Sequence, residues 1–180
     1  MWERSKRWGD AAPGVTLLDA SREPVSLAKL WRSGPLIVVF YRGGWCSYCS
    51  QHLRAWQEHQ DSLRRLDAGL VAECPQTPDH LLDMQNANGL SFPNLSDSAL
   101  EAANGFEIAC YLPPELVDMF AYLGTEVPVF NAGAQWVVPI PASFVIGRGG
   151  IIRFARIEAD YKKRTPPAEV IRFIEEAQGR

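Results

Sequence analysis

An α/β fold is what this sequence predicts: three layers around a central mixed, mostly parallel sheet, with an N-terminal β-hairpin. Three observations predict it. The run PLIVVFY at 35–41 is continuously β-branched and aromatic, the mark of a strand covered on both faces. Similar runs recur as AGLVAEC at 68–74 and ASFVIGR at 142–148. Between them lie segments whose apolar residues recur at helical spacing.

Taken in order, GVTLLDASREPVSLAKLW reads as a short hairpin feeding a helix that ends near Gly34. After the 35–41 strand, residues 47–66 read as one helix, with Cys49, Leu53, Trp56, Leu63 and Leu66 on a single stripe. Further helices are expected at 78–88, ending at Gly89, at 98–104, ending at Gly105, and at 113–123, ending at Gly124. The Gly149-Gly150 pair joins the 142–148 strand to IIRFARIE at 151–158 as a hairpin. TPPAEV opens a last helix, with Thr165 as cap, Pro166 in the first turn, and Val170, Ile171, Ile174 and Ala177 facing inward. The stretch 124–141 is irregular, but Trp136, Val137, Val138 and Ile140 make it too apolar for a flexible linker. No internal repeat appears. Residues 1–180 are expected to form one domain, with a helical and loop insertion around 105–136.

The chain has 180 residues, 47% apolar and 22% charged, and a formal net charge of −3. That is the composition of a globular protein able to bury a core without staples. Its charges are interspersed, so nucleic acid and anionic membrane surfaces are excluded as partners. The N-terminal stretch MWERSKRWGDAAPG lacks the apolar core of a signal peptide, and no run approaches the roughly 18 residues a spanning helix needs. A cytoplasmic location is the expectation, unless a leader has been removed.

Four cysteines are too few and too unevenly placed for a disulfide framework, so the paired Cys46 and Cys49 point to redox chemistry or metal. A zinc site would have to recruit scattered Cys74, Cys110, His52, His59 or His80, and no metal is expected. Haem attachment would need His at position 50, where Ser stands. Two small buried residues without a role is the plain alternative. Placed at a strand-to-helix turn, however, the pair meets the positive end of the helix dipole, where a thiol pKa drops to about 7 or below. Arg42, four residues before Cys46, adds positive charge, and Trp45 flanks the pair. Cys49 falls on the buried stripe while Cys46 stands at the helix mouth, suggesting an exposed attacking thiol and a sheltered resolving one.

Other positions are read more plainly. Cys74 closes the next strand on the same sheet edge, and a small strand-end residue is its simplest role. Cys110 is expected in the core. The three histidines are expected on the surface, and YKKR at 161–164 as a solvated loop. Pro141, just before a buried strand, is a position where an X-Pro bond in cis would present backbone to a bound peptide or thiol.

From residue 9 to 175 the chain resembles the alkyl hydroperoxide reductase / thiol-specific antioxidant, or peroxiredoxin-like, family. The residues that carry the resemblance are GDAAPGVTLLDASREPVSL, VVFYRGGWCSYC, CPQTPDHLLDMQNANGLSFPNLSD and PASFVIGRGGIIRFARI, in the expected order. The resemblance implies a thioredoxin-like fold, reduction of hydroperoxides or disulfides by a reactive thiol, a thioredoxin-like or glutathione-dependent reductant, and no cofactor. The sequence also departs from the family. Peroxiredoxins typically carry Pro, three residues, Thr, two residues and the peroxide-attacking Cys. By that count Cys49 takes the cysteine's place, Cys46 the threonine's and Arg42 the proline's. The family's activating arginine falls at Pro141. Peroxiredoxin counting thus makes Cys49 the attacker, whereas thioredoxin counting and the helical stripe choose Cys46. The expected function is a thiol-dependent hydroperoxide reductase using an internal Cys46–Cys49 disulfide. The alternatives are a protein disulfide oxidoreductase and a non-catalytic redox-sensing module docking through YLPPELVDMFAYLGTEVPVF, a segment apolar enough for a homodimer or partner surface.

Overall fold

The computed structural model describes residues 5–131, 133 and 135–179. Met1–Arg4, part of the polar N-terminal stretch, lie outside the described residues, as do Ala132, Ala134 and Arg180.

Strands β1 (Thr16–Asp19) and β2 (Pro24–Ser26) form the expected hairpin, followed by α1 (Leu27–Ser33) and β3 (Leu36–Phe40). Then come α2 (Ser47–Glu58), α3 (Gln60–Arg65), β4 (Gly69–Cys74), α4 (Pro78–Asn88), β5 (Asn94–Ser96) and α5 (Glu101–Gly105). The chain continues through β6 (Ala109–Tyr111), α6 (Pro114–Tyr122), α7 (Val127–Phe130), β7 (Val137–Pro139), β8 (Ala142–Ile146), β9 (Ile152–Ile157) and α8 (Pro167–Gln178).

Seven strands pair in the order β2-β1-β5-β4-β3-β8-β9. Among the described residues, parallel pairing occurs only between β3 and β4 and between β4 and β5; β8 is antiparallel to β3 and to β9, and β1 to β5 and to β2. The sheet is therefore mixed rather than mostly parallel. All five residues of β8 are buried, and burial on both faces marks a central strand whichever way it runs.

Side chains alternate across β3. Ile37 and Val39, with Tyr41 beyond the strand, pack under α2, α3, α4 and α8, while Leu36, Val38 and Phe40 pack against α1 and α5. These are the three layers. The inward stripe of the 47–66 segment is real, since Cys49, Leu53, Trp56, Leu63 and Leu66 are all buried. The segment is two helices, however, broken at His59, whose backbone (φ −100°, ψ 8°) leaves the helical region and caps α2. The final helix is capped at Pro166 rather than Thr165, and Ala177 is exposed.

The 105–136 segment supplies β6, α6 and α7, with β6 pairing β7 in a small second sheet. Phe106, Ile108, Phe120 and Val127 are buried within it, while Leu116, Met119, Tyr122 and Leu123 are exposed. Among the described residues no helix is long and apolar enough to cross a membrane.

Candidate active site

The turn between β3 and α2 is built to deliver Cys46 to the start of a helix. Gly43 takes φ +151°, and a Cβ there would lie 2.4 Å from the Trp45 indole nitrogen, so a side chain is excluded. The Cys46 amide donates to the Gly43 carbonyl at 3.1 Å, and the Gly44 amide to Gln76 Oε1 at 2.6 Å, closing the turn. Cys46 is the N-cap of α2 in extended geometry, and the Cys49 amide donates to its carbonyl at 2.9 Å. Both thiols are free.

The two sulfurs have opposite electrostatics. The Cys46 thiol is pulled down from 9.0 to about 5, chiefly because the Cys49 side chain hydrogen-bonds to its thiolate, with the Arg42 and Arg164 charges adding to the effect. Burial pushes the Cys49 thiol well up, and the neighbouring Cys46 raises it further. Cys46, expected to be exposed at the helix mouth, is itself buried at 6% exposure, and Cys49 at 0%. Cys46 opens on a cleft of about 260 Å3 lined by Arg42, Trp45, Tyr48, Met119 and Tyr161 among others.

Arg42 is buried in this cleft with its guanidinium 4.9 Å from the Trp45 ring centre, 5.2 Å from Phe120 and 4.7 Å from Tyr161. Among the described residues no carboxylate forms an ion pair with it. The stacking rings come from the turn, from α6 and from the loop after β9, so three elements converge on one cation.

Arg164, expected in a solvated loop, turns inward instead. Its Nη2 donates to Cys49 Sγ at 3.1 Å and lies 4.0 Å from Cys46 Sγ. Tyr161, Lys162 and Lys163 are exposed as expected. His52 is not on the surface: it is buried on α2, with Nε2 2.9 Å from the Thr165 carbonyl. His59 and His80 are half-buried. Cys110 is half-buried on β6 rather than a core residue.

Cys74 packs in the same core as Cys46 and Cys49, with its Sγ 3.9 Å from Gln76 Oε1, and is pushed up to about 12 by burial. It is neutral at ordinary pH. Pro141 precedes Ala142, which pairs with Phe40, so it lies at the cysteine end of the sheet; its carbonyl accepts from the Glu158 amide at 2.8 Å. No peptide bond among the described residues is cis, which corrects the cis geometry considered for Pro141. Among the described residues no group of three or more His, Cys, Asp or Glu is placed to hold a metal. A larger cavity of about 540 Å3 sits at the opposite end of β3 and β4, beside Leu36 and Gly69, away from any thiol.

The AhpC/TSA family model matches residues 8–155. Two peroxiredoxin-named proteins of Mycobacterium tuberculosis, from strains CDC 1551 / Oshkosh and ATCC 25618 / H37Rv, are each 34% identical over 89 residues. That match covers 49% of this chain and 56% of each relative, so it spans about half their length. Among solved structures, the peroxidoxin BcpB of Mycobacterium tuberculosis superposes with TM-score 0.77 at 15% identity, covering 94% of this chain and 97% of that one. Reduced Prx3 of Vibrio vulnificus in complex with H2O2 gives 0.77 at 11% identity over 97% and 99%. Enterococcus faecalis AhpC gives 0.73 at 18% identity over 97% and 93%. At these identities the structures establish the fold, which is that of the peroxiredoxins, and the family match over most of the chain makes the further point: this chain belongs to the AhpC/TSA family.

Proposed function

We propose that the protein is a thiol peroxidase in which Cys46 attacks the peroxide and Cys49 resolves it. The observation that carries this reading is the opposed electrostatics of one helical turn: a low-pKa sulfur facing a cleft beside a buried, proton-bearing one. The Cys46 thiolate displaces alkoxide from the distal oxygen of a hydroperoxide, giving a Cys46 sulfenic acid, and the alkoxide takes up a proton to leave as alcohol. The Cys49 thiol then attacks that sulfur, releasing water and closing the Cys46–Cys49 disulfide. A thioredoxin-like or glutathione-dependent thiol donor returns both electrons. Arg42 stabilises the attacking thiolate and the departing oxyanion. The apolar surface of α6 beside the cleft suits docking of the donor or of a second copy of the chain, and the reaction is proposed to run in the cytoplasm.

A second reading is favoured by the same ordering of the thiols together with Pro141 in place of an arginine. In it Cys46 attacks protein disulfides and peroxide is incidental. Peroxide consumption by the pre-reduced protein under excess dithiol separates the two. The peroxidase reading expects loss far faster than with a free thiol at the same pH, abolished by Cys46→Ser. Loss no faster than the free thiol, with brisk reduction of a protein disulfide, would establish the second reading instead.

A further inference from the structure

The loop between β9 and α8 enters the site through two neighbouring residues. Arg164 lays its guanidinium across both sulfurs, and Thr165 gives its carbonyl to His52. His52 lies three residues after Cys49 on α2, so the thiols and the group that fixes the loop share one helix. Nε2 meets two groups that make opposite demands: the Thr165 carbonyl, which only accepts, at 2.9 Å, and the Trp56 indole N–H, which only donates, at 3.2 Å. The shorter contact assigns the imidazole hydrogen to Nε2, donated to the carbonyl. Nδ1 is buried with no partner. Burial drives the His52 pKa down to about 4, so the ring is neutral at ordinary pH and acts as a fixed donor. The charged group facing it is Arg164.

Arg164 has donors only, and its other terminal nitrogen, Nη1, is held by the carbonyls of Tyr161 and Lys163 in its own loop. By donating to Cys49 Sγ it makes that sulfur an acceptor and leaves the Cys49 S–H free to point at Cys46. That S–H is the largest influence stabilising the Cys46 thiolate. Position is what makes the guanidinium effective, because a displacement of an ångström or two breaks the contact with Cys49.

We propose that Arg164 is a catalytic residue of this site and that His52 is its positioning residue, holding the guanidinium across Cys46 and Cys49 through the Thr165 carbonyl. The proposal rests on Cys46 being the attacking thiol.

The test is the pH profile of Cys46 alkylation by iodoacetamide, with the labelled cysteine read by mass spectrometry, in His52→Asn, His52→Gln, Arg164→Met and the double variant His52→Asn/Arg164→Met. Gln places an amide where Nε2 stands and reaches the carbonyl; Asn places it at Nδ1 and falls short. Asn at position 52 is expected to raise the alkylation midpoint by about half a pH unit, a roughly twofold loss of thiolate at the wild-type midpoint and about threefold well below it. Gln recovers most of that shift, Arg164→Met matches the Asn variant, and the double variant moves no further than Arg164→Met alone. An unmoved midpoint in Arg164→Met overturns the proposal. Equal shifts for Asn and Gln, or additive shifts in the double variant, overturn the positioning role of His52. Arg164→Met alters a half-buried loop residue, so together with His52→Gln it decides the matter even if His52→Asn does not fold. If wild type is labelled first at Cys49, it is the assignment of the attacking thiol that fails, a result visible without any His52 variant.

Discussion

The Cys49 amide donates to the Cys46 carbonyl across 2.9 Å, so one helical turn holds a thiol lowered to about 5 beside one raised well above its ordinary value. A lowered acid pKa keeps the thiolate populated as pH falls, until the pKa itself is crossed. Cys46 reactivity is therefore expected to stay flat from pH 8 to about 6 and to fall below about 5, whereas an ordinary thiol loses its thiolate from about 8.5 downward. Stopped-flow alkylation across that range measures it. A midpoint near 8 would remove the electrostatic basis of the mechanism.

Arg42 links the cleft's chemistry to its packing, since its charge favours the Cys46 thiolate while its face stacks on three rings. Arg42→Met should raise the Cys46 midpoint and slow peroxide reduction several-fold. Arg42→Lys keeps the charge but not the planar stack, so it should hold the midpoint closer to wild type while still losing stability on the order of 1 kcal/mol. Rates and urea midpoints of the two variants, compared side by side, check the separation.

Gly43 is required by conformation and by space at once. Gly43→Ala should cost about 1–3 kcal/mol in urea unfolding, because φ +151° is strained for alanine and the new methyl group meets the Trp45 indole. Gly149→Ala, with open space around it, should change stability by less than about 0.5 kcal/mol. Equal costs at the two positions would contradict the reading of the turn.

Asp97 accepts from the Ala102 and Ala103 amides at the start of α5, yet burial outweighs those bonds and raises its pKa from 3.8 to about 6. A raised folded-state pKa contributes stability that is complete below pH 3.8 and is lost as pH rises through about 6. The stability of wild type relative to Asp97→Asn should thus be greater at pH 4.5 than at 7.5, by up to about 3 kcal/mol over the full range. Urea titrations at both values test it; a difference that grows with pH has the wrong sign for this account.

The central strand, the helix start and the cysteine pair were legible in the sequence because each is a local pattern. PLIVVFY needs no partner to read as a buried strand, and Cys49 falls on the stripe with Leu53 and Trp56 by simple counting. Strand direction is not local. The five buried residues of β8 read the same either way, and with β8 antiparallel to both β3 and β9, β9 runs in the direction of β3. The loop after β9 therefore begins at the cysteine edge, which is how Arg164, inside the polar run YKKR, comes to touch the thiols. His52 was hidden for a related reason, since its partner is a backbone carbonyl 113 residues away. The break at His59 was invisible to periodicity because the stripe resumes in phase, from Trp56 to Leu63.

The order of attack is tested most directly by oxidising the pre-reduced Cys46→Ser and Cys49→Ser variants with one equivalent of hydroperoxide in the presence of a sulfenic-acid trap, and mapping the adduct by mass spectrometry. The account predicts rapid, stoichiometric trapping on Cys46 in Cys49→Ser, and no fast reaction in Cys46→Ser. Rapid trapping on Cys49 in Cys46→Ser, with Cys46 inert in the other variant, would contradict it and make Cys49 the peroxide-attacking thiol.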